Sequence, residues 1–149
     1  MKHIVVGVGN PILGDDAVGL EVVRKLKGKI NAEIKETMAC GFGLLEEILG
    51  YDKAVIVDAL VTNDKKEVGK VKKFIIKELD SNSLKTPHAL SFLDAISIAR
   101  RSGIREIPKK IVVVGILVNE IDFKEKISEE VKKAIPRAVK VVEGEIDGF

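Results

Sequence analysis

The sequence predicts a three-layer α/β/α domain built on a mostly parallel sheet, and three observations carry that expectation. Short apolar segments alternate with amphipathic ones along the chain, as strands and helices do in βαβ units. The apolar segments are continuously hydrophobic, as in "KAVIVDAL" (Lys53–Leu60) and "KIVVVGILV" (Lys110–Val118). Strands buried on both faces read that way. One segment differs: "VGKVKKFII" (Val68–Ile76) carries lysines along its length. That marks an edge strand protected against further pairing.

The elements follow in order. His3–Gly9 is largely apolar and reads as a buried parallel strand. Ala17–Lys27 reads as a helix, because Val18, Val22 and Leu26 fall on one stripe and Gly28 supplies a C-terminal stop. Glu33–Met38 is a second strand, and Phe42–Leu49 a short helix closed by Gly50. Lys53–Leu60 is the clearest buried strand. Ser91–Ser102 is helical, with Ser91-x-x-Asp94 in the form of a capping box. Lys110–Val118 is the last buried strand. Ser128 is placed to cap a final helix in which Val131, Ile135, Val139 and Val142 share a face. Pro136 lies inside that helix, so a kink is expected near Lys132 or Lys133. No repeat, low-complexity tract or linker interrupts the chain, and residues 1–149 are read as one domain.

Composition excludes several classes of function. A chain of 149 residues can bury a full core. Its net charge of +2 gives no general attraction to nucleic acid or to a membrane surface. No apolar run approaches the ~18 residues of a membrane span. Lys2, His3 and a short apolar strand do not make a signal peptide, so a cytoplasmic location is expected. Cys40 is the only cysteine. This excludes an intrachain disulfide and a CxxC zinc site.

In doubly wound sheets ligands bind outside the carboxyl ends of the strands. Asp15 and Asp16 follow the first strand, Asp58 ends "AVIVD", and His88 lies in "TPHALSF", a loop leading into a helix. The glycines in "VGVGNPILGDDAVG" do not make a nucleotide site. The pattern Gly7-x-Gly9 followed by Gly14 places the third glycine too late for GxGxxG, and no Gly-Lys-Ser/Thr is present. Asp15 can cap the helix that starts near Ala17, which leaves Asp16 to face the cleft. An acid at the end of a buried strand needs a partner, a metal or a proton, because apolar neighbours cannot solvate it; Asp58 is such an acid. Two carboxylates and one imidazole form an O2N donor set that suits a borderline divalent ion such as Zn²⁺ or Ni²⁺. Three protein ligands leave open positions, as a catalytic or exchange site requires. Nucleophilic catalysis has little support: there is no Gly-x-Ser-x-Gly elbow, and Cys40 reads as a structural thiol.

With these residues assembled, the chain resembles the hydrogenase maturation proteases. These are endopeptidases that remove a C-terminal extension from the large subunit of [NiFe] hydrogenases once nickel is installed. "VVGVGNPILGDDAVGLEVV" is similar to the family's opening motif, "YDKAVIVDAL" to its central Asp-Ala strand, and "TPHALSF" to its His loop, which more often reads Ser-His. "IPKKIVVVGILV" followed by "ISEEVKKAIPRAVKVV" is similar to its closing strand and helix. The resemblance implies a phosphorylase/hydrolase-like fold, a mixed sheet with one antiparallel strand. It puts the metal ligands at Asp16, Asp58 and His88. In "KETMACGFG", Glu36 stands where the family tends to carry a further acid, but the Gly-Gly-Thr-like segment is absent.

The resemblance implies nickel carried in by the substrate, with zinc or cadmium able to occupy the same donors. It implies a large-subunit precursor as partner and a monomeric enzyme. Asp16, Asp58 and His88 would read the nickel as the sign that insertion is complete. If the metal activates a water, Asp15 or Glu36 is the expected base. Two alternatives remain at this point. A receiver-type signalling domain would use Asp58 as phosphate acceptor and Asp15 and Asp16 to hold Mg²⁺, but it needs a Lys where Asn119-Glu120 stands. Another small hydrolase on the same fold is the other.

Overall fold

A computed structural model describes residues 1–76, 87–119 and 126–148, with residues 87–91 described by their backbone alone. The strands are β1 (His3–Val8), β2 (Glu33–Thr37), β3 (Lys53–Val61), β4 (Val71–Ile75) and β5 (Lys110–Val118). The helices are α1 (Val18–Leu26), α2 (Gly41–Ile48), α3 (Pro87–Arg101) and α4 (Glu129–Ile146). One five-stranded sheet has the order β2-β1-β3-β5-β4. β1, β2, β3 and β5 pair in parallel, and β4 runs antiparallel to β5 at the edge. The lysine-rich segment is therefore the edge strand that its composition predicts. The strand order and the antiparallel edge also separate this sheet from the receiver-type order 2-1-3-4-5.

Continuous apolar strands require cover on both faces, and both faces are covered. Leu44, Leu45 and Ile48 of α2, with Phe92, Leu93 and Ile96 of α3, pack on Ile56 and Leu60 of β3 and Val113 and Leu117 of β5. On the other face Val18, Val22 and Leu26 of α1 and Val131, Ala134 and Ala138 of α4 pack on Val55, Val57, Val112 and Val114. Val18, Val22 and Leu26 are each fully buried, the one-sided stripe read from the sequence. Burial of each such side chain stabilises the fold by about 2 kcal/mol. α1 ends at Leu26, and Gly28, at φ +77°, closes the turn that follows, in which the Leu26 carbonyl accepts the Lys29 N–H at 3.0 Å.

Two local expectations need correction, the capping roles of Ser91 and of Ser128. α3 begins at Pro87, so His88 lies in its first turn and Ser91 lies inside the helix rather than capping it. Proline is well suited to a first helical position, where its missing N–H has no intrahelical partner to lose. α4 continues through Pro136 to Ile146. Both Pro136 and Lys132, whose carbonyl loses its i+4 donor, are exposed, so water can satisfy that carbonyl. Ser128 flanks α4 but makes no side-chain capping bond to it.

Candidate active site

The chain leaving β1 is folded into a series of tight turns. Asn10 accepts the Ile12 N–H on its side-chain oxygen at 3.1 Å, its carbonyl accepts the Leu13 N–H at 3.1 Å, and the Leu13 carbonyl accepts the Asp16 N–H at 3.0 Å. Gly14, at φ +51°, opens a single 3-10 turn, Gly14–Ala17, that leads into α1. The glycines on either side of it serve packing, not phosphate binding. A Cβ on Gly9 would lie 2.1 Å from the Asp16 carbonyl oxygen, and one on Gly19 would lie 2.3 Å from the Val57 carbonyl oxygen. The turn and the start of α1 are thus pressed directly onto β1 and β3.

Asp16 is buried in that turn, with 2% of its surface exposed. Its Oδ2 accepts the Asn10 N–H at 2.8 Å. Its Oδ1 is buried and has no hydrogen-bond partner among the described residues. An unsatisfied buried acceptor costs roughly 1–3 kcal/mol, more when charged, so this oxygen is expensive to keep.

Asp58 is also buried, at 5% exposure. The sequence reading put it at the end of its strand, but β3 continues to Val61. Two neighbours of unequal length explain the difference. The β1–β3 pairing stops at Gly7 opposite Val57, whereas β3 pairs with β5 as far as Val61 opposite Val118. Asp58 is the first residue of β3 beyond the reach of β1. The order reverses here, since the chain passes from β1 to β2 on one side and then returns to β3 on the other, which is the topological switch point where such sheets bind ligands. The 3-10 turn carrying Asp16 packs against β3 at this place. Asp58 Oδ1 accepts the Ala59 N–H at 2.8 Å, and its side chain shares the sheet face of Ile56 and Leu60, the face covered by α2 and α3.

Residue 88 stands in the first turn of α3. The helix ends at Arg101 and a short connection leads to the start of β5, so its first turn lies toward the carboxyl edge of the sheet. Position 88 lies four residues before Phe92, which packs on the sheet face that carries Asp58. The His88 side chain lies outside the described residues. Among the described residues no group of three His, Cys, Asp or Glu stands ready to hold a metal ion.

The other two acids are committed elsewhere. Glu36 is level with Gly7 and Val57 in the sheet, so it points to the face opposite Asp58. There Arg24 Nε donates to it at 2.9 Å and Lys27 lies at 3.4 Å. The hydrogen bond from Arg24, against a smaller desolvation effect, holds the Glu36 carboxyl below its usual range. Asp15 does not cap α1, whose N-cap, Ala17, has no side-chain bond. Its carboxylate instead accepts the Ser128 N–H at 2.7 Å and the Ser128 hydroxyl at 3.0 Å. Sequence reasoning did not single out Asn10, and it read Ser128 as a helix cap rather than as the partner of Asp15. The Asn-Pro turn was a signal for the first; a contact across 113 positions left no signal for the second.

A doubly wound sheet with buried carboxylates at its switch point defines an α/β protein with a polar crevice where folds of this kind bind their ligands. The comparisons with known proteins narrow this class. The hydrogenase maturation protease family model matches residues 20–145, a span that includes Asp58 and His88 and begins just after Asp16. The Hydrogenase 2 maturation protease of Escherichia coli is 31% identical over 130 residues, covering 82% of this chain and 76% of that protein. The solved hydrogenase maturating endopeptidase HybD from E. coli superposes with a TM-score of 0.79 at 28% identity, over 95% of this chain and 90% of that one. The [NiFe] hydrogenase maturation protease HybD from Thermococcus kodakarensis gives 0.77 at 28% identity, over 98% and 99%. The chain belongs to the hydrogenase maturation protease family, and it is an endopeptidase. Among the described residues no helix is long and apolar enough to cross a membrane.

Proposed function

We propose that this endopeptidase removes the C-terminal extension of a [NiFe]-hydrogenase large-subunit precursor after nickel has been inserted. Asp16, Asp58 and His88 are the ligands that meet the nickel, which arrives as part of the substrate. The observation that carries this reading is Asp16 Oδ1, a buried carboxylate oxygen with no partner among the described residues. A cation delivered from outside satisfies it; an empty precursor leaves it unsatisfied. Two carboxylate oxygens and an imidazole nitrogen suit nickel, and zinc or cadmium fits the same donors.

The protein's own contribution is orientation. The Asn10 N–H fixes Asp16 from one side, which leaves Oδ1 to face the ligand. The Ala59 N–H holds Asp58 Oδ1. Bound nickel supplies a Lewis acid, able to polarise the scissile carbonyl or to lower the pKa of a water. Neither Asp15, tied to Ser128, nor Glu36, on the opposite sheet face, is free to act as the base in that step. The supported role of the site is therefore recognition of the loaded metal, with cleavage dependent on it. Mixing the protein with a large-subunit precursor, with and without nickel, and weighing the products tests this. Cleavage of nickel-loaded precursor alone is expected; equal cleavage of nickel-free precursor sinks the proposal.

A further inference from the structure

We infer that Ser128, at the start of α4, positions Asp16 by clasping its neighbour Asp15. The inference rests on the reading of Asp16 as a metal ligand and assigns that site a support no local motif contains. The turn Gly14–Ala17 is short, and neither of its ends has a side-chain cap. In a 3-10 turn successive residues stand about 120° apart, so holding one side chain sets the direction of the next. Asp15 is held by two bonds from Ser128, and Asp16 is turned inward, where it is buried. Both bonds are charge-assisted, and the carboxylate sits at the N-terminal end of α4, where the helix dipole favours it.

The partner is a firm one. Val131, Ala134 and Ala138 are fully buried against the same apolar cluster as α1, so α4 is fixed by the core. Ser128 turns its hydroxyl to Asp15 and makes no capping bond to its own helix. The turn at one end of the chain is thus braced against a helix 113 positions away. Asp15 is a positioning residue, and of the two adjacent acids only Asp16 is left for a cation.

The test uses the whole protein with Ni²⁺ or Cd²⁺ alone as probe, together with hydrogen exchange at the Asn10 amide, which donates to Asp16. Ser128→Ala is expected to speed exchange at Asn10 and to weaken metal binding by about tenfold, the usual effect of losing an outer partner of a ligand. Ser128→Thr restores both, and melting temperature changes little in either. Ser128→Ala keeps the backbone bond to Asp15, so Asp15→Ala removes the whole clasp; if both variants leave Asn10 protection and metal affinity at wild-type values, the clasp does not position Asp16. If Asp15→Asn weakens metal binding while Asn10 exchange stays at its wild-type rate, Asp15 acts on the metal directly and the inference is wrong. If Asp16→Asn binds metal as well as wild type, the metal-site reading has failed, and the role assigned to Asp15 fails with it. Asn10 exchange needs no metal, so it tells these two failures apart.

Discussion

At the amino edge of the sheet Glu145 is buried beside three lysines; at the carboxyl edge Asp16 is buried with none among the described residues. Glu145, 4% exposed, comes from the end of α4. Lys73 of β4 reaches it at 2.6 Å, Lys53 of β3 at 3.0 Å and Lys110 of β5 at 3.7 Å. Lys53 also donates to the Glu145 carbonyl. Burial alone pushes the Glu145 carboxyl up, but hydrogen bonds from Lys73 and Lys53 outweigh it and bring its pKa down to about 2. This acid staples α4 across three strands. Glu145 Oε2 and Asp16 Oδ1 both lack a hydrogen bond among the described residues, but Lys53 lies 3.0 Å from the first, whereas the second has no cation beside it among those residues. The contrast separates a structural carboxylate from a functional one: the first carries its own cations, and the second waits for one.

The largest expected effect breaks the carboxyl edge alone. Asp16→Asn removes the charge without removing a salt bridge made among the described residues, so stability is kept or raised while cleavage of nickel-loaded precursor falls by roughly a thousandfold. Wild-type turnover by this variant, measured by mass spectrometry of the products, removes Asp16 from the site. Next comes Gly9→Ala. Its Cβ would lie 2.1 Å from the Asp16 carbonyl oxygen, so the turn must move. Cleavage is expected to drop about a hundredfold, in line with displacement of a positioned group, while stability falls by only about 1–3 kcal/mol. A loss of stability with unchanged cleavage would show that the turn tolerates the shift.

The amino edge predicts the opposite pattern. Glu145→Gln should leave cleavage per folded molecule unchanged and lower the melting temperature by roughly 10 °C, about 3 kcal/mol. The same contribution depends on pH. A folded-state pKa of about 2 against the ordinary 4.5 means that the unfolded chain binds more protons between those values. Stability from this group is therefore complete above about pH 4.5 and lost as pH falls through about 2. Acid unfolding curves that coincide for wild type and Glu145→Gln would deny the staple. The smallest effect belongs to Glu36→Gln. Its pairs with Arg24 and Lys27 are partly exposed, so stability should change by less than about 1 kcal/mol with cleavage intact. A large loss of cleavage would return Glu36 to the chemistry despite its place on the far face of the sheet.

Much of this was legible in the sequence because it depends on local pattern. The apolar runs Lys53–Leu60 and Lys110–Val118 could only be buried strands, and the lysines of β4 marked an edge. The first helix followed from Val18, Val22 and Leu26. Glu145 also left a signal: it falls seven residues after Ala138 and three after Val142, on the buried stripe of α4. An acid on an apolar stripe points to a buried ion pair, though the pattern cannot name its lysines.

The sequence by itself determined the layers, the parallel sheet, its guarded edge and the two acids at the switch point, because periodicity and strand hydrophobicity are properties of neighbouring residues. Only the tertiary structure decided how the chain's acids near that edge divide their work. Asp15 is taken by Ser128 from the other end of the chain, Glu36 by Arg24 on the far face, and Asp58 stands where β3 outruns β1. Each of these depends on which segments meet in space. A one-residue step in a strand changes the face a side chain presents, and a helix packed by its own core can hold a turn that no local sequence specifies.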